Sequence, residues 1–225
     1  MSSAREQILG GIRRALGRDE LPAAEQIALT AGLAEPKRNL VPQRGQGAPK
    51  VILQRFIDMA AEASASLDRL DSLDRVPEAI AEFLKQENLP ARAVRSPALQ
   101  ALDIPWEKAS AMSWRDGVPT IEDEVGVTDA LAAVAETATL MLTSGPDSPT
   151  TLNFLPDTHV VVLRESQLVG GYEDAWDRLR ASLGKQGMPR TVNLITGPSR
   201  TGDIEQTIQL GAHGPRRLHI LLVAD

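Results

Sequence analysis

Apolar side chains recur at intervals of three and four residues through much of the first third of the chain, which is the spacing of one face of an α-helix. The spacing is clear in three stretches: residues 2–17, 51–70 and 76–84. Ser2 or Ser3 can cap the first stretch, and Gly17 can end it. We therefore predict an N-terminal helix and two further helices before the first strand.

The pattern changes after residue 90. A short strand is predicted at residues 91–94, and four longer runs rich in Val, Leu, Ile and Thr follow at 125–142, 159–163, 191–196 and 218–223. The last three runs are almost uninterrupted apolar segments, as expected for strands that are covered on both faces. Two helix-sized segments separate them, at 172–183 and 202–210. This alternation predicts an α/β domain in which helices sandwich a parallel sheet.

The apolar residues of segment 18–50 follow neither the helical spacing of three and four residues nor the spacing of a strand. They contain four prolines and three glycines, which indicates an extended arm or linker. The first 50 residues carry eight basic and five acidic side chains, whereas the whole chain has a net charge of −6. We predict two parts: an N-terminal helix with a Pro/Gly-rich arm over residues 1–50, and an α/β domain over residues 51–225. The terminal helix either packs on this domain or recruits a partner.

The composition excludes several classes of function. The chain has no cysteine, so it holds no disulfide, thiolate nucleophile or cysteine-ligated iron–sulfur cluster. The negative net charge and an aromatic content of 3% disfavour nucleic-acid binding. No apolar run approaches the roughly 20 residues of a membrane span, and charged residues interrupt the N-terminus where a signal peptide would be apolar. We expect a cytoplasmic protein without nucleic-acid or membrane partners.

The densest group of candidate site residues follows the apolar run at 191–196. The loop offers glycines for close backbone approach, hydroxyls and a guanidinium. Its candidate ligand-binding residues are Gly197, Ser199, Arg200, Thr201 and Gly202. In open α/β folds, ligands bind at the C-terminal ends of parallel strands, so we predict an anion or polyol site here. The alternative is an ordinary capped turn between a strand and a helix.

Three residues are candidates for general acid or base chemistry. His213 lies in a Gly-rich turn before the last apolar run, where the alternative is a simple turn, and Asp203 follows the loop described above. Glu136 lies in an otherwise apolar run, so its carboxylate either faces a cleft or needs a buried partner, and we expect a cleft. The prediction is that Ser199, Arg200, Asp203 and His213 share one cleft at the C-terminal edge of the sheet, with Glu136 near its rim.

The remaining titratable residues are interpreted as structural. Asp129 and the acidic stretch at residues 122–124 form a solvated charged patch in this interpretation. His159 and His219 are interpreted as strand residues. Because the three histidines are scattered along the chain, no metal site is predicted.

Four motifs follow one another in the second half of the chain: Ala-Glu-Thr-x-Thr-Leu, Leu-Pro before His-Val-Val-Val-Leu, Ile-Thr-Gly-Pro-Ser-Arg-Thr-x-Asp-Ile-Glu, and Gly-x-His-Gly-Pro. This order resembles the lactate-utilisation protein C family, which carries the LUD domain. The resemblance covers about residues 120–225, and its most specific part is residues 197–205 together with 211–215. Ala138 departs from it, since many members of the family have glycine at this position.

The resemblance implies a three-layer αβα domain with a mostly parallel sheet, of the type shared by glucosamine-phosphate deaminase, ribose-5-phosphate isomerase and CoA transferases. Here an N-terminal helical arm precedes it. The resemblance also implies a role in the oxidation of L-lactate to pyruvate, together with partner subunits that hold the iron–sulfur clusters. This chain would then bind no cofactor itself. A small anionic ligand and assembly into a homo-oligomer are both compatible with this interpretation.

Two other classes of function stay open. The first is a free-standing enzyme that binds a sugar phosphate or a CoA ester, with Glu136 or Asp203 as the base and Arg200 as the contact to the anionic group. The second is a non-catalytic binding or regulatory module whose N-terminal helix recruits a partner. The sequence supports no choice between an enzyme and a non-catalytic subunit.

Overall fold

The computed structural model describes residues 3–17, 21–184, 187–201 and 209–225. The chain divides into two compact units, Met1–Leu40 and Val41–Asp225. The second unit therefore begins ahead of residue 51, and it includes ten residues, 41–50, that the sequence assigned to the arm.

The first unit contains two helices, α1 (Ala4–Ala15) and α2 (Ala23–Ala34). Helix α1 is the predicted N-terminal helix. It begins with a capping box, in which the Ser3 hydroxyl accepts from the N–H of Glu6 and the Glu6 carboxylate accepts from the N–H of Ser3. Helix α2 shows that the prediction of an extended arm is wrong in this segment. Its alanine-rich sequence favours a helix, and Pro22 and Pro36 flank it rather than interrupt it.

The second unit begins with helix α3 (Pro49–Glu62), strand β1 (Ser66–Leu70) and helix α4 (Val76–Gln86). The predicted helix over residues 51–70 is thus wrong in its last part, and a strand separates the two helices. Ser64 follows α3 with a φ of 64°, in the left-handed region that ends a helix. The chain can therefore leave the helix and enter β1 within a few residues.

The other elements follow in chain order: β2 (Arg92–Arg95), β3 (Ser113–Asp116), β4 (Val125–Asp129), β5 (Ala132–Val134), β6 (Thr139–Thr143), β7 (Thr158–Arg164), β8 (Leu168–Val169), α5 (Tyr172–Ser182), β9 (Val192–Thr196), β10 (Arg200–Thr201), β11 (Gln209–Leu210) and β12 (Arg217–Val223). The main sheet has six strands in the order β1-β12-β7-β4-β2-β3. Every neighbouring pair in it is parallel.

Helices cover both faces of the main sheet. Side chains alternate between the two faces along β7, so Val160 packs in a buried cluster with Ile80 of α4, whereas Val161 packs in another cluster with Phe56 of α3. This arrangement confirms the predicted three-layer αβα fold with a parallel sheet.

A second sheet has four strands in the order β8-β5-β6-β9. Its β5–β6 and β6–β9 pairs are antiparallel, and its β5–β8 pair is parallel. Leu140 of β6 belongs to the same buried cluster as Phe56 of α3, whereas Met141 packs against Ala175 and Leu179 of α5. The predicted run at 125–142 is therefore three strands divided between two sheets.

Two predictions about the C-terminal third are wrong. Strand β9 lies in the second sheet, antiparallel to β6, and Leu194 is 45% exposed, so the run at 191–196 is not a strand covered on both faces. The predicted helix at 202–210 does not reach residue 210, because β11 pairs with β10 there. Residues 202–208 lie outside the described residues. An apolar run indicates that a segment is buried in part, but it does not indicate which sheet the segment joins.

Candidate functional site

The structure brings the two predicted loops together around an open cleft of about 290 Å³. Ser199, Arg200 and His213 line this cleft, together with Thr196 at the end of β9 and His159 of β7. Guanidinium, imidazole and hydroxyl groups therefore face one space, as a site for a small anion or a polyol requires.

Ser199 holds the two loops in contact. Its N–H donates to the carbonyl of Pro215 at 2.8 Å, and its carbonyl accepts from the N–H of Gly211 at 2.9 Å. Its hydroxyl accepts from the N–H of His213 at 3.3 Å. The antiparallel pairing of β10 with β11 brings the chain back to this point, so the loops meet through main-chain hydrogen bonds.

The other candidate residues are distributed differently. Gly197 lines the same cleft, and Thr201 is buried. Gly202 and Asp203 lie outside the described residues. Glu136 is not among the residues that line the cleft.

The cleft lies at the opposite edge of the main sheet from the predicted one. His159 and Leu218 are the second residues of β7 and β12, and both line the cleft, so it opens beside the N-terminal ends of these strands. The prediction assumed that the run at 191–196 belongs to the parallel sheet. Because β9 belongs to the second sheet, the loop that follows it lies elsewhere.

Arg200 and Gly197 also hold the end of α3. One Nη atom of Arg200 donates to the carbonyl of Ala63 and, at 2.8 Å, to the hydroxyl of Ser64. A cation at a helix C-terminus is favourable because the last carbonyls lack partners within the helix. Gly197 has a φ of 67°, and a Cβ at this position would overlap the Ala63 carbonyl. The loop therefore has the structural role of a cap as well as a wall of the cleft.

His159 lies on the main-sheet side of the cleft and is fully buried. Its Nε2 is 2.8 Å from the hydroxyl of Thr128, with which it shares a hydrogen bond, whereas its Nδ1 has no partner in the described part of the chain. Burial lowers the pKa of His159 from 6.5 to about 3, so the ring is neutral at physiological pH. The positive charge at the cleft comes from Arg200.

Glu136 is paired with an exposed arginine and does not face a cleft. It lies in the turn between β5 and β6 and is 5% exposed, and its carboxylate accepts a hydrogen bond from Nε of Arg44 at 2.8 Å. The N–H of Glu136 donates to the carbonyl of Gly170 at 3.2 Å. Arg44 belongs to the segment that the sequence assigned to the arm, so this ion pair joins that segment to the second sheet.

Arg44→Ala is expected to lower the free energy of unfolding by about 1.5–3 kcal/mol, because it leaves the Glu136 carboxylate buried without its cation. The matched control is Arg69→Ala. Arg69 pairs with Glu165 at 2.7 Å and is about as exposed as Arg44 (56% against 65%), but Glu165 is 27% exposed whereas Glu136 is 5% exposed. Pairs with an exposed carboxylate contribute less than about 1 kcal/mol. Urea unfolding of both variants measures the difference. Equal losses would show that the buried position of Glu136 adds nothing.

A group of hydroxyls lies between Glu136 and the cleft. Thr139 is within 2.6–2.8 Å of the hydroxyls of Thr137, Tyr172 and Thr196, and Thr196 lines the cleft. Ala138, beside this group, has a φ of 51°, in the left-handed region that favours glycine. This conformation gives a physical reason for the glycine that the resemblance associates with the position.

The sequence interpretation missed Asp129. Asp129 is the last residue of β4 and lines a separate cavity, so it is not part of a solvated patch. Burial raises the pKa of its carboxyl above the usual 3.8. The signal that was available is the position of an acidic residue at the C-terminal end of an apolar parallel strand.

Within the described ranges, no group of three or more His, Asp or Glu side chains is placed to bind a metal ion. The sequence itself contains no cysteine, so the thiolate ligands of an iron–sulfur cluster are missing from this chain. None of the described helices is both long enough and apolar enough to cross a membrane.

Comparisons with known proteins place these features in a family. The LUD domain family matches residues 121–223. The chain is 40% identical over 100 residues to an uncharacterized protein of Neisseria meningitidis serogroup B and 37% identical over 107 residues to "Lactate utilization protein C" of Exiguobacterium sp.. These two matches cover 44% and 47% of this chain and span 42% and 46% of the relatives, less than half of their length.

Two proteins of Deinococcus radiodurans match over a larger part of the chain. A solved structure of a DUF162 family protein has a TM-score of 0.61 and 26% identity, and the match covers 79% of this chain and 99% of that chain. "Lactate utilization protein C" is 32% identical over 178 residues, which cover 76% of this chain and 79% of the relative. With the motifs, the fold and a relative matched over most of its length all in agreement, this chain belongs to the lactate utilization protein C family.

Proposed function

We propose that this protein acts in the oxidation of L-lactate to pyruvate, as a cysteine-free component that works with iron–sulfur partner proteins. The observation that carries the proposal is the 32% identity over 79% of the length of a relative named for lactate utilization. The named relatives support the role of the family, and the cleft supplies a place where a small carboxylate can bind.

The division of labour follows from redox chemistry. Oxidation of the lactate hydroxyl to the pyruvate ketone removes two electrons and two protons. The chain has no cysteine, so it lacks the thiolates that would hold an iron–sulfur cluster as an electron acceptor. Partner proteins therefore hold the clusters and receive the electrons in this proposal.

The cleft has the charge and the hydrogen-bond donors that a small carboxylate needs. Only one Nη atom of Arg200 donates to α3; its Nε and its other Nη donate to no other described residue. Each of these two atoms can donate a single charge-assisted hydrogen bond to a carboxylate. The hydroxyls of Ser199 and Thr196 line the same space.

The test is deletion of the gene in its source organism. We expect the deletion strain to lose growth on L-lactate as sole carbon source but to retain growth on pyruvate, and we expect the wild-type gene to restore it. An Arg200→Ala gene should restore growth less well than an Arg216→Ala gene. Arg216 is the matched control because it is an exposed arginine paired with Asp157 at 3.4 Å, outside the cleft lining.

Affinity purification tests the partners. A tagged copy of the protein, purified without oxygen from cells grown on L-lactate, should bring with it cysteine-rich proteins that contain iron. Undiminished growth of the deletion strain on L-lactate would contradict the role, whereas purification of the chain without such proteins would contradict the division of labour.

A further inference from the structure

A small cavity of about 100 Å³ lies at the other edge of the main sheet, beyond the C-terminal ends of β2 and β4. Its polar lining residues are Ser96, Thr128, Asp129, Thr143, Ser148 and Asn153. A water molecule occupies about 30 Å³ in the liquid, so this cavity has room for a few non-hydrogen atoms. It is distinct from the cleft, although Asn153 lines both.

The cavity lies where the order of the strands reverses. Strands β2 and β4 are neighbours in the sheet. After β2 the chain continues to β3 on one side of this pair, and after β4 the next strand of this sheet is β7, on the other side. The two connections therefore leave in opposite directions and open a crevice between the strand ends. In open α/β sheets this is the place where ligands bind. Ser96 directly follows β2, and Asp129 ends β4.

Two of the lining side chains have no partner on any other described residue. The carboxyl of Asp129 accepts a hydrogen bond from its own backbone, and no other described residue bonds to it or forms an ion pair with it. The amide of Asn153, which is 5% exposed, likewise bonds to no other described side chain or backbone group. Asp129 is partly exposed and Asn153 is buried, so the unpartnered polar atoms of both side chains can be reached from the cavity that they line.

Two other lining residues are already fixed. The Ser96 hydroxyl donates to the carbonyl of Asp147 at 2.7 Å, and the Thr128 hydroxyl shares its hydrogen bond with His159. These bonds hold the ends of β2 and β4 in place around Asp129. The free groups therefore face a cavity with rigid walls.

The charges at the cavity determine which ligand fits. No lysine, arginine or histidine of the described ranges lines it. Among the charged groups on the neighbouring strands, Arg95 of β2 is paired with Asp116 at 2.8 Å, and His159 of β7 is neutral. The carboxylate of Asp129 is partly buried, and the described chain supplies no cation that pairs with it. A carboxylate ligand such as lactate would be repelled by the ionised side chain.

We propose that the cavity at Asp129 is a binding site for a small cation, with Asp129 as its charged contact and the Asn153 carbonyl oxygen and the Ser148 and Thr143 hydroxyls as neutral acceptors. A primary ammonium group and a monovalent metal ion share this chemistry. The site is separate from the anion-binding cleft of the proposed function, and the two can therefore fail independently.

Protons compete with the cation. Burial holds the pKa of Asp129 above its usual value, so at low pH the carboxyl is protonated and offers no charge. Cation affinity therefore rises with pH through the raised pKa and then becomes constant. In the protein without a bound cation, the stability of the fold changes with pH in the opposite direction. The free-energy cost of the partly buried Asp129 carboxylate grows as pH rises above 3.8 and is fully present above the raised pKa.

The experiment is a thermal-shift series on the full chain with ethanolamine, ammonium, sodium and potassium chloride as separate probes, at pH 5 and pH 8. We expect one probe to raise the melting temperature by roughly 5–10 °C at 100 times its dissociation constant. The probe that acts distinguishes an organic ammonium from a metal ion. Calorimetric titration of the same probe into the wild-type protein checks binding directly.

Asp129→Asn should abolish the shift and, because it removes an unpaired, partly buried charge, should raise the melting temperature of the unliganded protein at pH 8. The matched control is Asp103→Asn, since Asp103 is exposed and lies outside the cavity; it should keep the wild-type shift. The proposal is overturned if no probe shifts the wild-type protein, if the shift survives Asp129→Asn, or if this variant is less stable than the wild-type protein. None of these outcomes depends on growth with lactate.

Discussion

Gly170→Ala is expected to lower the free energy of unfolding of the second unit by at least about 3–5 kcal/mol, which is a large part of the stability of an ordinary domain. The reason is a close approach of two main-chain segments. A Cβ built on Gly170 would overlap the carbonyl oxygen of Gly45. Neither partner is a flexible side chain that can move aside, so the two backbones have to separate.

The cost includes the contacts around these glycines. Gly45 is buried, and a Cβ on it would in turn lie 3.5 Å from an oxygen of Glu136. Separation of the two segments therefore also disturbs the ion pair between Arg44 and Glu136. The effect of Gly170→Ala should exceed that of Arg44→Ala for this reason.

Gly145→Ala is the matched control, because a Cβ at Gly145 meets nothing within 4 Å and its φ is not in the left-handed region. We expect its unfolding midpoint in urea to stay close to that of the wild-type protein. A Gly170→Ala variant as stable as the Gly145→Ala variant would mean that residues 41–48 do not pack against the second sheet in solution.

The free energy of unfolding is also expected to decrease as pH falls below about 6.5, with two buried histidines as the cause. Burial lowers the pKa of His159 from 6.5 to about 3 and, against the opposing charges of Asp68 and Glu87, the pKa of His219 from 6.5 to about 4. Between these values and 6.5 the unfolded chain binds protons that the folded chain does not. The contribution of the two neutral histidines to the free energy of unfolding is therefore fully present above pH 6.5. It is lost as pH falls from 6.5 towards about 4 for His219 and about 3 for His159.

Each histidine contributes up to about 1.4 kcal/mol per pH unit in this window. Their surroundings explain why they stay neutral: His219 stacks on Phe83 with ring centroids 3.9 Å apart, and its Nδ1 is 2.8 Å from the hydroxyl of Ser66. The measurement is urea unfolding at intervals from pH 7 to pH 4.5. His159→Gln and His219→Gln should each reduce the slope by about one proton.

His213→Gln is the control, since His213 is exposed, and it should keep the wild-type slope. The opposite contribution of Asp129 is common to all four proteins and cancels in the comparison. If the slopes of the two buried-histidine variants equalled the wild-type slope, the histidines would not be the groups that titrate on unfolding.

Local pattern was sufficient for the parts of the fold that depend on neighbouring residues. The spacing of apolar residues predicted α1 and α4, and the uninterrupted runs predicted β7 and β12 as strands that are covered on both faces. The capping residue Ser3 was visible because a cap acts over three positions. The order of four short motifs was enough to indicate the family, which the comparison with the Deinococcus protein confirmed.

The arrangement of the site was decided only by tertiary structure. Arg44 and Glu136 are 92 positions apart, so no local period could connect the arm with the turn that it stabilises. The run at 191–196 was predicted as a strand of the parallel sheet because its side chains are apolar. It pairs with β6 in the second sheet instead, so the loop that follows it lies beside the N-terminal ends of the main-sheet strands.

Asp129 also shows that the sequence pattern does not establish the surroundings of a side chain. The sequence interpretation grouped it with the acidic stretch at residues 122–124 and predicted a solvated patch. The walls of its cavity come from Ser96 after β2, from β6 and from the segment at 148–153. The sequence by itself determined most of the helices and the strands β7 and β12, because periodicity records the burial of a face within one segment. The tertiary structure alone decided which side chains meet at a site, because pairing between strands and the burial of a charge depend on residues that are distant along the chain.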